Sequence, residues 1–272
     1  MNDVFLNIDE QPQESISIIS ERLEVRSQTG QFASFRNEYF SLMNLNNNAS
    51  ILELGGGTGV IGRAYIRETN FNGKYVVSDL SEHLLKFGKK IAIKDKMDHL
   101  LDFKMIDAMS PKSNNELLYD AVIMHTLVSH VPEPKIVLNN AKEYLKKGGI
   151  IVIFDADYET LLISSGDKKL DETVNSAIKK GCVAQPKVMR EIPKIAKDLN
   201  LKLINSNSNL LFEAGNSEFF ISMGKALSTS VVKAKQLEKK IADDWIQKLE
   251  NAILENVFFG MCPFISYIFK VK

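Results

Sequence analysis

The stretch from Ile51 to Gly59, Ile-Leu-Glu-Leu-Gly-Gly-Gly-Thr-Gly, restricts this chain more than any other, because a short apolar strand runs directly into a turn made almost wholly of glycine. Glycine lets the backbone turn at positive φ and lets a ligand lie against the main chain with no Cβ between them. Val60, Ile61, Ala64 and Tyr65 then recur at helical spacing, so the unit reads strand, glycine turn, helix. Such a unit is a nucleotide cradle.

Two cofactor classes use it. Gly57, Gly59 and Gly62 spell G-x-G-x-x-G, and Asp79 follows 22 residues after Gly57, as expected of a dinucleotide site whose acid holds a ribose hydroxyl. The same residues suit a nucleoside-type site. Glu53, two residues before Gly55, separates the two. A carboxylate in a central strand is costly to bury without a partner, and it repels an arriving pyrophosphate. S-adenosylmethionine reverses that sign, since it carries a sulfonium and an α-ammonium group.

Glu53-Leu54-Gly55-Gly56-Gly57-Thr58-Gly59 resembles the first motif of the class I S-adenosylmethionine-dependent methyltransferases, acid, apolar, Gly, any, Gly, any, Gly. Three more motifs follow in the family's order. Lys74 to Ser78 reads as a strand ending in Asp79-Leu80-Ser81, like the motif whose acid accepts both ribose hydroxyls. Phe103 to Ile106 ends in Asp107-Ala108, like the motif whose carboxylate meets the adenine amine. Tyr119 to Met124, then His130-Val131-Pro132-Glu133-Pro134, a helix, Lys146-Lys147-Gly148-Gly149 and Ile150 to Phe154 resemble the passage from fourth to fifth strand. Ser20 to Arg26, Asp155 to Leu161 and Phe258-Phe259-Gly260 are similar to a small-molecule branch that includes methyltransferases of quinone precursors. The resemblance implies S-adenosylmethionine as cofactor, held by Glu53, Gly55, Gly56, Gly57, Gly59, Asp79, Leu80, Asp107, Ala108 and His125.

In the family's frame the chain is an α/β protein with a Rossmann-like, seven-stranded, mostly parallel sheet of order 3-2-1-4-5-7-6. The last strand is antiparallel, helices cover both faces and helical insertions lie over the cleft. The alternation of strand and helix up to Phe154 demands right-handed crossovers and a parallel sheet. Residues 1–48 read as a helical lead or lid, with helices over 15–26 and 32–43 after a frayed 1–12, and residues 49–272 as the methyltransferase domain. Insertions fall at about 158–199 and 216–254, with helices over 167–180, 187–199, 217–227 and 231–254. Pro193 is expected to bend or break the second of these, and Pro263 to kink the closing strand, 257–271.

Lys plus Arg and Asp plus Glu both number 34, so nothing draws the chain toward nucleic acid or an anionic membrane. No apolar run is long enough to span a bilayer, and no basic stretch precedes an apolar one at the N-terminus. Cys182 and Cys262 form no C-x-x-C pair, which fits plain thiols in a cytoplasmic protein. No metal-ligand cluster is expected.

Several residues admit a plainer role. Asp79 and Asp107 are also good helix N-caps, and Gly62 suits close helix packing. His130, and with it His125, is a candidate for proton transfer, against a simple turn-capping role. Asp155, Asp157 and Tyr158 follow the fifth strand, where a carboxylate orients or deprotonates an acceptor, or else caps the inserted helices; His130 and Asp157 are the catalytic candidates. Arg22, Arg26 and Arg36 crowd the N-terminal helices of a lysine-rich chain and are candidates to clamp a carboxylate of the cofactor or of an acidic acceptor, against salt bridges to Glu21, Glu24 or Glu38.

The residues thus point to a methyltransferase acting on a small-molecule acceptor by in-line transfer. A nicotinamide-dependent oxidoreductase and a non-catalytic protein that keeps the cofactor site are the alternatives. The acceptor and the oligomeric state are not written in these motifs.

Overall fold

The computed structural model describes residues 8–10, 13–113 and 117–271. A single 3-10 turn at Ile8–Glu10 and two helices, α1 (Gln13–Gln28) and α2 (Gly30–Met43), lead into the sheet domain. The parallel half follows as β1 (Ser50–Leu54), α3 (Val60–Thr69), β2 (Lys74–Asp79), α4 (Glu82–Lys94), β3 (Leu101–Met105), β4 (Tyr119–His125), α5 (Pro134–Glu143) and β5 (Leu145–Ala156). The remainder is β6 (Leu162–Ser164), α6 (Lys168–Gly181), α7 (Val188–Asp198), β7 (Leu201–Gly215), α8 (Phe219–Lys233), α9 (Lys239–Leu254) and β8 (Phe258–Val271).

The sheet runs β3-β2-β1-β4-β5-β8, and β7 pairs with the far side of β8. Strands β3, β2, β1, β4 and β5 are parallel, and β8 is antiparallel to β5. The expected seven-strand order therefore holds, with β8 and β7 as its last two members. The added strand is β6, three residues that pair with Gly260 and its neighbours on the side of β8 that β5 has left.

The central strands are buried on both faces, as parallel strands under helices must be. In β1, Leu52 and Leu54 face a core with Val76, Val122, Met124, Leu138 and Ile192, while Ile51 faces Tyr39, Tyr65, Tyr75 and Ile123 on the other side. Strand alternation puts Glu53 on the same face as Ile51, beneath α2 and α3, the only acidic residue of β1 and 1% exposed.

Two prolines that threaten their elements are accommodated. The carbonyl of Pro263 accepts from the Asp157 N–H at 2.9 Å. In an antiparallel ladder a residue's N and O point the same way, so the missing N–H faces the gap between β5 and β6, and β8 runs through unkinked in its pairing with β7. Pro193 lies inside α7 without ending it. It withholds the bond that the Met189 carbonyl would receive, and the Tyr267 hydroxyl of β8 fills the vacancy at 3.0 Å.

The expected helices at 217–227 and 231–254 are instead Phe219–Lys233 and Lys239–Leu254. Ser228, Thr229 and Ser230 do not break α8, because their hydroxyls bond back to the carbonyls of Lys225 and Ala226. Lys235, at φ 57°, makes the break. At the N-terminus Ile8, expected to be frayed, is buried against Ile16 and Leu84, while 1–7 and 11–12 lie outside the described residues.

Tyr267→Phe is expected to cost about 1 kcal/mol by leaving the Met189 carbonyl unpaired. In a Pro193→Ala background, where a backbone N–H returns, that cost should fall by at least half. Urea melts of the four proteins check this; equal costs in both backgrounds would refute the pairing.

Candidate active site

The turn after β1 holds Gly55, Gly57 and Gly59 at φ of +66°, +54° and +71°, conformations that side chains rarely adopt. Gly59 is the N-cap of α3. The underside is packed as closely: a Cβ on Gly62 would meet the Tyr75 ring at 2.7 Å, which supports its packing role, and one on Gly88 of α4 would meet the Thr58 carbonyl at 2.0 Å. Gly88 was not singled out from the sequence, since an isolated glycine in a helical pattern carries no signal of what crosses it.

Glu53 lies directly under the turn, its Cδ 2.8 Å from where a Gly56 Cβ would stand. Tyr75 donates its hydroxyl to Glu53 Oε2 at 3.1 Å. Burial is the dominant influence and pushes the carboxyl up to about 8, against the smaller opposing pull of Tyr75 and Arg63. The sequence alone implies an ionised Glu53. At about 8 the carboxyl instead keeps most of its proton at neutral pH, because Tyr75, Arg63 and the Gly62 N–H together do not offset desolvation.

Around the turn lies a cavity of about 40 Å³ lined by Leu23, Arg26, Ser27, Phe32 and Arg36 of the lead, by Glu53 and residues 55–58 and 60–61, and by His125 and Thr126 at the end of β4. Leu23 of α1 lies against Gly57, and Leu127 against Gly55. Two of its buried polar atoms, Thr58 Oγ1 and Arg36 Nε, have no hydrogen-bond partner among the described residues. Glycines without Cβ atoms, a buried acid and unsatisfied polar atoms facing one cavity fit a polar, cation-bearing nucleoside ligand.

The lead is fastened over this site. Arg63 of α3, 1% exposed, donates to both carboxylate oxygens of Glu24 at 2.6 and 2.5 Å. Asp9 bonds Ser81 and, at 2.9 Å, the Glu82 N–H, so the turn at Ile8–Glu10 caps α4. Arg36 donates to Ser27 and to Glu68 at 2.6 Å.

The other sequence candidates are placed as follows. Asp79, at the end of β2, accepts from the Gly57 N–H at 2.8 Å and the Ser81 N–H at 2.9 Å, and burial raises its pKa. It stands beside the turn and Leu80 is exposed next to it. Asp107 accepts from the Met109 N–H and the Ser110 hydroxyl, both at 2.8 Å, so it also closes its own turn; Ala108 is buried. His125 shares a 2.9 Å hydrogen bond with the Tyr39 hydroxyl and stacks on Phe154 at 4.6 Å. Burial, with Arg26 and Arg36 nearby, holds its pKa well below the usual value, so it stays neutral.

His130 meets Tyr158 edge-on at 6.2 Å, and neither lines the cavity. Asp157 does not line it either. Its Oδ2 accepts from Arg190 Nε and Nη2 at 3.0 and 2.9 Å and from Thr160 at 3.0 Å, which leaves only a buried Oδ1 without a partner among the described residues. Asp155, fully buried, accepts from the Ser129 N–H and hydroxyl, each at 3.0 Å.

No residue of the two insertions lines the cavity. They pack on each other instead, Asp171 of α6 receiving Trp245 Nε1 of α9 at 2.8 Å. A separate hollow of about 850 Å³ lies between β6, α6 and the 183–187 turn, away from the glycine turn. Among the described residues no cluster of side chains could hold a metal ion, and no helix is long and apolar enough to cross a membrane.

Residues 45–245 match the model of a methyltransferase-domain family, and the chain belongs to that family. It is a class I S-adenosylmethionine-dependent methyltransferase, and S-adenosylmethionine is its cofactor. Among solved structures it is similar to a methyltransferase from Bacillus halodurans, at 16% identity and a TM-score of 0.59 over 87% of this chain and 98% of that one. It is also similar to a sarcosine dimethylglycine methyltransferase from Galdieria sulphuraria, at 15% identity and a TM-score of 0.54 over 88% and 84%. A geranyl diphosphate methyltransferase solved with S-adenosylmethionine aligns at 12% identity with a TM-score of 0.52 over 88% and 91%.

The buried acid makes stability depend on pH in a definite direction. Between the usual 4.5 and about 8 the folded chain keeps a proton on Glu53 that the unfolded chain has released. The contribution of this group is therefore full below pH 4.5 and is lost progressively as pH rises to about 8. Glu53→Gln should flatten the fall in stability between pH 5 and pH 8, which thermal melts in the absence of ligand will show; parallel curves for the two proteins would contradict it.

Proposed function

We propose that this methyltransferase acts on a small-molecule acceptor and binds its donor at the turn above Glu53. The buried carboxyl beneath the glycine turn carries this reading, because it is stable there as an anion only beside a cation. The donor supplies a methyl group on a sulfonium that leaves as a neutral thioether.

The chain's own residues bind, orient and exclude water. Glu53 gives up its proton and becomes the counter-charge to the cationic end of the donor. The outer lone pairs of Asp79 are available to ribose hydroxyls, Asp107 offers a carboxylate to the adenine amine, and Leu80 next to Asp79 lines the cofactor. Thr58 and Arg36 offer the unsatisfied polar atoms. The lead, fastened by Glu24–Arg63 and by Asp9, closes over the site, and Leu23 and Leu127 shift when the donor enters. In-line displacement needs near-attack geometry more than a dedicated base. His125, neutral and bonded to Tyr39, lies by the reacting end, whereas Asp157 is committed to Arg190 and serves to hold α7. His130 remains the candidate to take a proton from an acceptor that must lose one.

The balance of 34 basic and 34 acidic residues favours a small acceptor over nucleic acid. The names of two similar structures, a sarcosine dimethylglycine and a geranyl diphosphate methyltransferase, agree with that. Two buried cysteines, Cys182 and Cys262, in no C-x-x-C pair suit a cytoplasmic protein.

Isotopically labelled donor, incubated with the protein and a metabolite extract, should label a low-molecular-weight product; label found only in nucleic acid or protein would reverse the acceptor class. Calorimetry at pH 7 in buffers of different ionisation enthalpy should show proton release on binding S-adenosylmethionine, with affinity rising from pH 6 to pH 8 by up to about tenfold per unit. Glu53→Gln should weaken the donor about tenfold or more and abolish the proton release. An unchanged dissociation constant would remove Glu53 from the site.

A further inference from the structure

Six arginines occur in the chain, and four of them are in ion pairs: Arg36 with Glu68, Arg63 with Glu24 and Asp95, Arg67 with Asp95, and Arg190 with Asp157. Arg26 differs. Its guanidinium lines the cavity around the glycine turn, yet no carboxylate lies within 4 Å among the described residues. Its one hydrogen bond among the described residues is from Nη2 to Thr126 Oγ1 at 3.1 Å. Thr126 holds that hydroxyl from an unusual position, at φ 53° just past the end of β4. The guanidinium also lies over the Phe32 ring at 5.8 Å, and Phe32 packs on Phe219 and Phe264, each at 5.1 Å.

An unpaired guanidinium in a desolvated cavity is costly unless a ligand supplies the missing charge. Glu53 does not supply it: a cationic donor already claims that carboxylate. Two anions remain, the donor's own carboxylate and one on the acceptor. Arg26 is electrostatically coupled to Asp155 and Tyr158, which follow β5, in addition to facing the turn. Its apolar wall, Phe32 and the phenylalanines behind it, suits a carbon skeleton better than the tail of an amino acid. Guanidinium and carboxylate pair through two parallel hydrogen bonds, so a free fork selects that group by shape as well as charge.

We propose that Arg26 determines acceptor specificity, by receiving the carboxylate of an acidic acceptor whose apolar body lies against Phe32. The proposal rests on the methyltransferase reading above.

The test uses the full chain saturated with S-adenosylhomocysteine, and benzoate and its uncharged analogue benzamide as probes, with affinities from ligand-observed NMR titration. The intact protein should bind benzoate at least tenfold more tightly than benzamide. Arg26→Gln should erase that preference, and Arg26→Lys, which keeps the charge but loses the fork, should retain only part of it. Equal affinity for the two probes, or a preference that survives Arg26→Gln, would overturn the proposal. So would a tenfold loss of S-adenosylhomocysteine affinity in Arg26→Gln with the affinity for methylthioadenosine, which lacks the amino-acid tail, unchanged; Arg26 would then hold the donor's carboxylate. Failure of the intact protein to bind S-adenosylhomocysteine at all is a different result and would remove the donor site itself.

Discussion

The structure turns on one carboxyl group placed where a side chain of that kind is least stable. Glu53 sits mid-sheet in β1, 1% exposed, its carboxyl receiving the Tyr75 hydroxyl. A central parallel strand is normally apolar on both faces, and the residues flanking Glu53 obey that rule. Once the carboxyl is there, the glycines above it have a purpose beyond making the turn. They leave the main chain bare, so a ligand's positive charge can approach the acid through the backbone.

The layers around this point are organised by close approach. Gly62 lets α3 lie on Tyr75, which in turn reaches Glu53, and Gly88 lets α4 lie on the turn itself. The lead then joins from outside through charge rather than apolar area alone. Glu24 meets Arg63 at the start of the sheet domain, and Asp9 caps α4 beside Asp79. The lead is thus held by an ion pair that is itself buried and by a helix cap, together with the apolar contacts of Ile8 and Ile16 on Leu84.

The C-terminal half is built to a different purpose. β8 joins β5 and β6 on one side and β7 on the other, and the two prolines there are each matched by a neighbour: a gap in the ladder for Pro263, a tyrosine hydroxyl for the carbonyl orphaned by Pro193. The insertions bury Trp245 against Asp171, and Phe219 of α8 packs on Phe32 of the lead. Asp157, whose position after β5 suggests chemistry, is held by Arg190 and fixes α7 to the sheet.

The sequence by itself determined the fold and the family. The glycine turn, the acid two residues before it and the acids ending β2 and β3 are local features at fixed spacing, and strand–helix alternation leaves few parallel topologies open. What only the tertiary structure decided are the properties that depend on partners far away in the chain. Whether Glu53 is charged depends on burial under α2 and α3, whether Asp157 is free depends on Arg190, and whether Arg26 is paired depends on what surrounds the end of α1. None of these is a property of a motif, because the free energy of a charge is set by the three-dimensional arrangement of dipoles, counter-charges and water around it.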